Sequence, residues 1–313
     1  MTAATVTTTL RLGTRGSELA RTQSQAVADA ITAATGTPVE LVHIVTEGDR
    51  SSAAITQLGG TGVFVAAIRR ALLEGSVDLA VHSYKDLPTA AEPGLIIAAV
   101  PTRQDPRDAL VARDGLTLGE LPPGSTIGTG APRRVAQLRA LGLGLDVVPI
   151  RGNVDTRMGR VAAGDLDAVV LARAGLARLG RLDVITETLD PLQVLPAPAQ
   201  GALAVECRTS DARTRELLGR LEDPTARACV VAERATLAAL EAGCSAPVAA
   251  YAEVAEGEHG PELFLRASVT AIDGSDAVRG SVTGPLPEAA ALGRALATEL
   301  LDRGAAELMA VSR

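Results

Sequence analysis

Of the 30 lysines and arginines in this chain of 313 residues, Lys85 is the single lysine. It stands beside Asp86 in Val81-His82-Ser83-Tyr84-Lys85-Asp86-Leu87-Pro88, where an apolar run from Val77 stops and delivers charge. An ammonium is a compact charge whose pKa moves on burial, whereas a guanidinium is a fixed planar fork. The pair reads either as a surface ion pair in a turn before Pro88 or as a ligand-facing pair at a strand end, where open α/β sheets bind their ligands. A second candidate is Cys244 in Gly243-Cys244-Ser245-Ala246-Pro247. It follows a helix that starts at the cap Asp223-Pro224, runs to Ala242 and is ended by Gly243. The negative end of that helix does not lower a thiol pKa, so a covalent anchoring point suits Cys244 better than an activated thiolate. His43, His82 and His259 offer no Cys-His dyad. Cys207, at a strand end, and Cys229, eleven residues before Leu240, read as buried hydrophobes.

The third set is arginine. A strand at Thr9 to Gly13 leads into Thr14-Arg15-Gly16-Ser17 and a helix to Ala34, stopped at Gly36. The pattern recurs where Ser125 to Thr129 meets Gly130-Ala131-Pro132-Arg133-Arg134, with Pro132 suiting the first helical turn. It recurs again where Asp146 to Ile150 meets Arg151-Gly152-Asn153 and a helix carrying Arg157. Arg11 and Arg15, Arg133 and Arg134, and Arg151 with Arg157 thus sit at three strand-to-helix turns; Arg173 and Arg178 follow the strand Asp167 to Leu171. Guanidinium forks pair bidentately with carboxylate or phosphate, and helix N-termini add a favourable dipole. If the strands are parallel, the turns share one edge and the arginines converge on an anionic ligand. Gln57 to Gly62 is a glycine loop before a helix from Val63 to Glu74, but it lacks the Gly-Lys-Ser/Thr ending of a P-loop.

These residues need α/β scaffolding, and the length allows two or three domains. Further strands are expected at Val39 to Thr46, Gly94 to Val100 and Ala202 to Cys207. Polar, proline-containing stretches at Pro101 to Asp108 and Leu195 to Gly201 are candidate crossings between domains. Strands at Val248 to Val254, Leu263 to Ala271 and Ala277 to Val282, then a helix from Pro287 to Leu301, make a small α+β domain with an antiparallel sheet. Aromatics are only 1% of the chain against 47% hydrophobic residues, so the cores must be aliphatic. A net charge of −7 argues against nucleic acid or an anionic membrane as partner. Neither a membrane span nor a signal peptide is present in the sequence, which leads to a cytoplasmic expectation. The cysteine spacing fits neither a disulfide framework nor a metal site.

Taken in order, Leu12 to Ser17, His82 to Pro88, Pro132-Arg133-Arg134, Ile150 to Asn153, Ala197 to Leu203 and Ala232-Glu233-Arg234 leading to Gly243-Cys244-Ser245 resemble the porphobilinogen deaminases, or hydroxymethylbilane synthases, over almost the whole chain. The resemblance implies an enzyme that condenses four porphobilinogen molecules head to tail, releases ammonia at each step and hydrolyses off a linear hydroxymethylbilane. It implies a dipyrromethane cofactor on a thioether to Cys244, and a monomer. The implied fold is two periplasmic-binding-protein-like α/β domains with a hinged cleft, plus the small α+β domain. Boundaries are expected at 1–102 with 200–219, at 103–199 and at 220–313. Asp86 becomes the catalytic candidate, because a carboxylate can stabilise a substrate cation and relay protons. Lys85, Ser17, Arg133 and Arg134 become cofactor contacts, with Arg11, Arg15, Arg151, Arg157 and Arg178 on substrate carboxylates. Four places depart from the family pattern. Gln57 and Thr61 stand where lysines are common, Gly130-Ala131 where hydroxyl residues are, Tyr84 where an aliphatic residue is usual and would narrow the site wall, and Ala199 for a glycine. If position 199 needs a positive φ, its alanine is strained. The competing reading is a binding or sensor protein for an anionic small molecule. A phosphate-binding transferase built on Gly59 to Gly62 would leave Lys85, Asp86 and Cys244 without roles.

Overall fold

A computed structural model describes residues 9–44, 62–242, 246–257 and 260–310 of the chain. Cys244, His259, and the glycine-loop residues 57–61 with Gln57 and Thr61 lie outside them. The chain divides into two compact units, 1–103 with 202–226 and 104–201 with 227–313.

The first unit is built on β1 (Leu10–Thr14), α1 (Glu18–Thr35), β2 (Val39–His43), α2 (Gly62–Leu73), β3 (Leu79–Ser83) and β4 (Leu95–Ala99), joined later by β10 (Leu203–Arg208). The sheet order is β2-β1-β3-β10-β4, with β1 parallel to β2 and β3, and β10 antiparallel to β3 and β4. Strands buried on both faces read as apolar runs rather than alternations, which is why Leu79, Ala80 and Val81 are all buried. On one side α1 lays Val27, Ala28 and Ile31 against the sheet. Its start is fixed by Ser17, whose hydroxyl accepts from Ala20 N at 3.3 Å, and its end by Gly36 at φ 68°. On the other side α2 contributes Ile68, Ala71 and Leu72.

The second unit repeats the plan with β5 (Asp108–Ala112), β6 (Thr126–Thr129), α3 (Pro132–Ala140), β7 (Asp146–Pro149), α4 (Val154–Ala162), β8 (Ala168–Ala172), α5 (Arg173–Arg178) and β9 (Glu187–Thr188). The order is β7-β6-β8-β5-β9, with β6 parallel to β7 and β8, and β5 antiparallel to β8. In both sheets an antiparallel strand follows the parallel trio, and in each case it is the strand beside a crossing of the chain. The polar stretch expected as a crossing at Pro101 to Asp108 runs directly into β5, a strand not expected from the sequence, which begins at Asp108.

The C-terminal segment is an antiparallel meander of β11 (Val248–Gly257), β12 (Gly260–Thr270) and β13 (Ala277–Pro285). One face is covered by α7 (Pro224–Ala239), α8 (Ala289–Asp302) and α9 (Ala305–Ala310), around an aliphatic core with Leu263, Leu265, Val269, Leu296 and Leu300. Expected as a separate domain, it has its own sheet and core and groups with residues 104–201 in the second unit. The remaining helix, α6 (Ala212–Gly219), belongs to the first unit. No described helix is long and apolar enough to cross a membrane.

Candidate functional site

In the first unit the turn after β3 is shaped by its buried members. Tyr84 N donates to Ala202 O at 3.1 Å and Leu87 N to Tyr84 O at 3.3 Å, closing a 3-10 turn over Tyr84–Asp86. Tyr84 and Leu87 are 8% and 2% exposed. With those two side chains facing inward, Lys85 is left half-buried and Asp86 exposed. Among the described residues the Asp86 carboxylate forms no hydrogen bond or ion pair. Tyr84, expected to narrow a site wall, is instead a core residue of this turn. Gln23 of α1 donates from Nε2 to Ser83 Oγ at 3.2 Å, which ties the turn to the helix.

Beneath the turn lies a buried charge cluster that sequence reasoning did not anticipate. Glu206 of β10, 2% exposed, receives Arg69 Nη2 at 2.9 Å and faces His82 Nε2 at 3.1 Å. Burial pushes the Glu206 pKa up, but hydrogen bonds from His82 and Arg69 outweigh it and hold the carboxyl below its usual range. A charge inside an apolar run was the available signal, in Val205-Glu206-Cys207.

Arg15 and Ser17 follow β1 at the same carboxyl edge as Lys85, but Arg11 does not. Its guanidinium pairs with Asp78, Nη2 to Oδ1 at 2.8 Å and Nε to Oδ2 at 3.1 Å, and Arg208 joins that carboxylate at 3.3 Å. The register sets Leu12 against Leu79, so Arg11 and Asp78 mark the amino ends of parallel strands. The expectation that Arg11 shares the edge of the other arginines is thereby corrected: as the second residue of β1 it lies near the amino end of the strand, on the opposite rim.

In the second unit the carboxyl edge of β6, β7 and β8 gathers Arg133, Arg134, Arg151, Arg157 and Arg178. The organising residue is Asp108, fully buried at the head of antiparallel β5. Arg133 reaches it with Nη1 at 2.7 Å and Nη2 at 3.1 Å, Arg134 with Nη2 at 2.7 Å, and Gln200 Nε2 at 2.7 Å. Arg133 also donates to Leu195 O at 2.9 Å and Gln200 Oε1 at 3.1 Å, while Arg134 donates to Val170 O at 2.9 Å. Burial alone raises the Asp108 pKa; the two guanidiniums more than reverse this and hold it far below the carboxylate range. Burial also lowers the Arg133 pKa. Arg133, expected as a cofactor contact, has both Nη groups hydrogen-bonded inside the protein.

The balance of charge in this cluster is positive. Two buried arginines share one carboxylate, and Arg134 Nε is buried with no partner among the described residues. Half-buried Arg157 has its guanidinium pKa lowered by burial and then by Arg134. It donates from Nε to Gly152 O at 2.8 Å. Arg178, its pKa pushed down to about 10 by burial, donates to Gly201 O at 2.6 Å. Arg151 is exposed, just before Asn153 caps α4 by accepting from Thr156 N at 2.8 Å. Gly130 also acquires a reason: a Cβ there would stand 2.8 Å from Ile150 O, so the hydroxyl side chain expected from the family has no room on this backbone.

The Ala197 to Gly201 stretch delivers Gln200 to Asp108. Gln200 N donates to Ala197 O at 2.9 Å, and Ala199 N to Glu233 Oε2 at 2.6 Å. Glu233 Oε1 accepts from Ala252 N at 2.8 Å, so one buried carboxylate joins this loop to α7 and β11. Ala199 has φ 61°, the left-handed conformation suspected from its replacement of a glycine. Cys207 and Cys229 are buried and outside any disulfide, and burial pushes the Cys207 thiol up to about 11.

Comparison with known proteins places these residues in context. The family model described as porphobilinogen deaminase, dipyromethane cofactor binding domain, matches residues 10–216, and the porphobilinogen deaminase C-terminal domain matches 227–302. A porphobilinogen deaminase of Nocardia farcinica is 62% identical over 99% of this chain and 90% of its own length. That of Mycobacterium tuberculosis strain H37Rv is 62% identical over 96% of this chain and 98% of its own. Among solved structures, a periplasmic substrate-binding protein of an ABC transporter from Coxiella burnetii is similar at 14% identity and TM-score 0.44, over 70% of this chain and 94% of that one. With the cofactor-binding model spanning both arginine-bearing sheets and relatives aligned nearly end to end, the chain belongs to the porphobilinogen deaminase family.

Proposed function

We propose that Asp86 is the acid-base residue of this member of the porphobilinogen deaminase family. The observation that carries the reading is its carboxylate, exposed at the carboxyl edge of the first sheet in a turn whose neighbours Tyr84 and Leu87 are buried. As a transferase of tetrapyrrole biosynthesis, the enzyme condenses four porphobilinogen molecules head to tail. In each coupling the aminomethyl carbon of one pyrrole loses ammonia and forms a carbon–carbon bond to a ring carbon of another, which then loses its proton. Positive charge develops on the pyrrole as ammonia leaves. A carboxylate beside that ring stabilises the charge and can accept the ring proton. Lys85 adds a cation for the carboxylate arms, and Arg15, Arg134, Arg151, Arg157 and Arg178 are the proposed partners of the others, with Ser17 a weaker contact.

The surplus of guanidinium around Asp108, including the orphaned Arg134 Nε, fits a dipyrromethane cofactor rich in carboxylates. When bound, that group supplies the primer from which the product grows. The proposed anchor is Cys244. Arg133, Asp108 and Gln200 hold the backbone and Arg134 in place, and their burial keeps water from competing for the guanidiniums. The reading also takes the chain as a cytoplasmic monomer that needs no nucleic acid, an inference supported by the net charge of −7 and by resemblance.

The test is an Asp86→Asn variant, measured beside wild type by intact mass of the denatured chain and by porphobilinogen turnover. Asp86→Asn should fold, retain the mass of two linked pyrroles and lose at least about 100-fold in kcat. Near-normal turnover would remove Asp86 from the mechanism. A Cys244→Ser chain should show the bare polypeptide mass.

A further inference from the structure

The C-terminal sheet has two unlike faces. Leu263, Leu265, Ala267 and Val269 of β12 enter the core under the helices. Period-2 alternation therefore turns Arg266 and Ser268 to the other face. The register sets Ser281 of β13 opposite Arg266, and Arg279 opposite Ser268, so four polar side chains form a square on that face. Across from it, within the same unit, stand Gln137 of α3 and the apolar residues Pro191, Leu192 and Leu195. Together they line an open-mouthed cavity of about 290 Å³, near the lower end of small-molecule sites at roughly 300 Å³.

The polar side of this cavity is rich in hydrogen-bond donors, from Arg266, Arg279, Ser268 and Ser281. Ser268 is 3% exposed and its hydroxyl has no partner among the described residues. Arg266 is held between aromatic rings, 5.5 Å from the Tyr251 centroid and 5.4 Å from Phe264. Its Nε is likewise buried without a partner among the described residues, and its ion pair to Glu253 is long at 3.4 Å. Gln137 is turned toward the segment behind it: its Oε1 accepts from Leu195 N at 2.8 Å, and its Nε2 donates to Arg133 O and Leu195 O. Orphaned buried polar groups destabilise a fold, and here two of them, Arg266 Nε and Ser268 Oγ, belong to cavity-lining residues, with the guanidinium of Arg279 lining the same cavity.

We propose that this cavity binds a small organic carboxylate with a flat, apolar body. The carboxylate accepts from Ser268, Arg266 and Arg279, and the body lies against Pro191, Leu192 and Leu195. The site is separate from the residues assigned to turnover and does not depend on that assignment. Its occupant would nevertheless touch the segment whose Leu195 carbonyl receives Arg133.

Benzoate and its neutral isostere benzamide test this on the full chain, by saturation-transfer NMR and calorimetry. Wild type should bind benzoate, with benzamide about tenfold weaker, the loss expected when a charge-assisted pair is removed. Arg279→Gln, at an exposed position, should keep turnover and bind benzoate about tenfold more weakly. Ser268→Ala should weaken benzoate binding while leaving thermal stability equal or higher, because it deletes an orphaned hydroxyl. Arg151→Gln should bind benzoate as wild type does. The proposal is overturned by absence of binding up to about 10 mM, by equal affinity for benzamide, by wild-type affinity in both Arg279→Gln and Ser268→Ala, or by loss of binding in Arg151→Gln, which would locate benzoate among the turnover residues.

Discussion

Replacing Asp108 by Asn tests the charge cluster most directly. The amide preserves shape and removes the one carboxylate that compensates two buried guanidiniums, Arg133 at 5% and Arg134 at 4% exposure. Breaking a buried ion pair by deleting one partner costs about 3–5 kcal/mol, and the hydrogen bonds from Arg133, Arg134 and Gln200 would all be perturbed together. For a cooperative unit of this size each kcal/mol lowers Tm by about 2–4 °C, which gives a loss of about 6–20 °C. The pH dependence supplies a second readout. The folded pKa of Asp108 lies below its unfolded value, so its contribution is fully present above about pH 4 and declines as pH falls toward the folded pKa. Denaturant unfolding of both proteins from pH 8 to pH 3 should therefore give a constant gap down to about pH 4 and a narrowing gap below it. A gap under about 1 kcal/mol at pH 7 would refute the account of Asp108 as a compensating anion. A gap that widens toward acid would refute its sign.

Ala199→Gly should relieve the left-handed backbone at φ 61°. The left-handed conformation costs a non-glycine residue about 1–2 kcal/mol, and the greater unfolded-state entropy of glycine returns about 0.4–1 kcal/mol of that. A net gain near 0.5 kcal/mol is expected in denaturant unfolding, and a clear loss would contradict the strain. Gly201→Ala should do the opposite, because φ is 86° and a Cβ would collide with Gln104 O; a stability loss above about 2 kcal/mol is expected. Cys207, buried with its thiol pushed up to about 11, should resist iodoacetamide at pH 8 in the folded protein and react after unfolding. Modification at the rate of an open thiol would show that β10 is not packed as described.

Much of this protein was determined by its sequence. Alternation and apolar runs placed the parallel strands, Ser17 and Gly36 bounded α1, and the two proline-containing crossings stand beside the antiparallel strands β5 and β10. The unique lysine and its neighbour Asp86 marked a strand end because charge following an apolar run has few other places to go. What the tertiary structure decided is which charges face each other. Arg11 and Arg15 look equivalent in sequence, yet four residues of strand carry them to opposite rims, and only pairing with β3 gave Arg11 to Asp78. Asp108 and Glu206 read as ordinary carboxylates until burial made each the centre of a charge cluster. Arg133 and Arg134 are adjacent in sequence, but helix geometry and the approach of Leu195 and Gln200 enclosed the first and left the second with an orphaned Nε. Local pattern specifies backbone direction within a few residues, whereas the partner of a buried charge lies 25 residues away for Arg133 and Asp108 and 137 for Arg69 and Glu206, beyond what a local pattern contains.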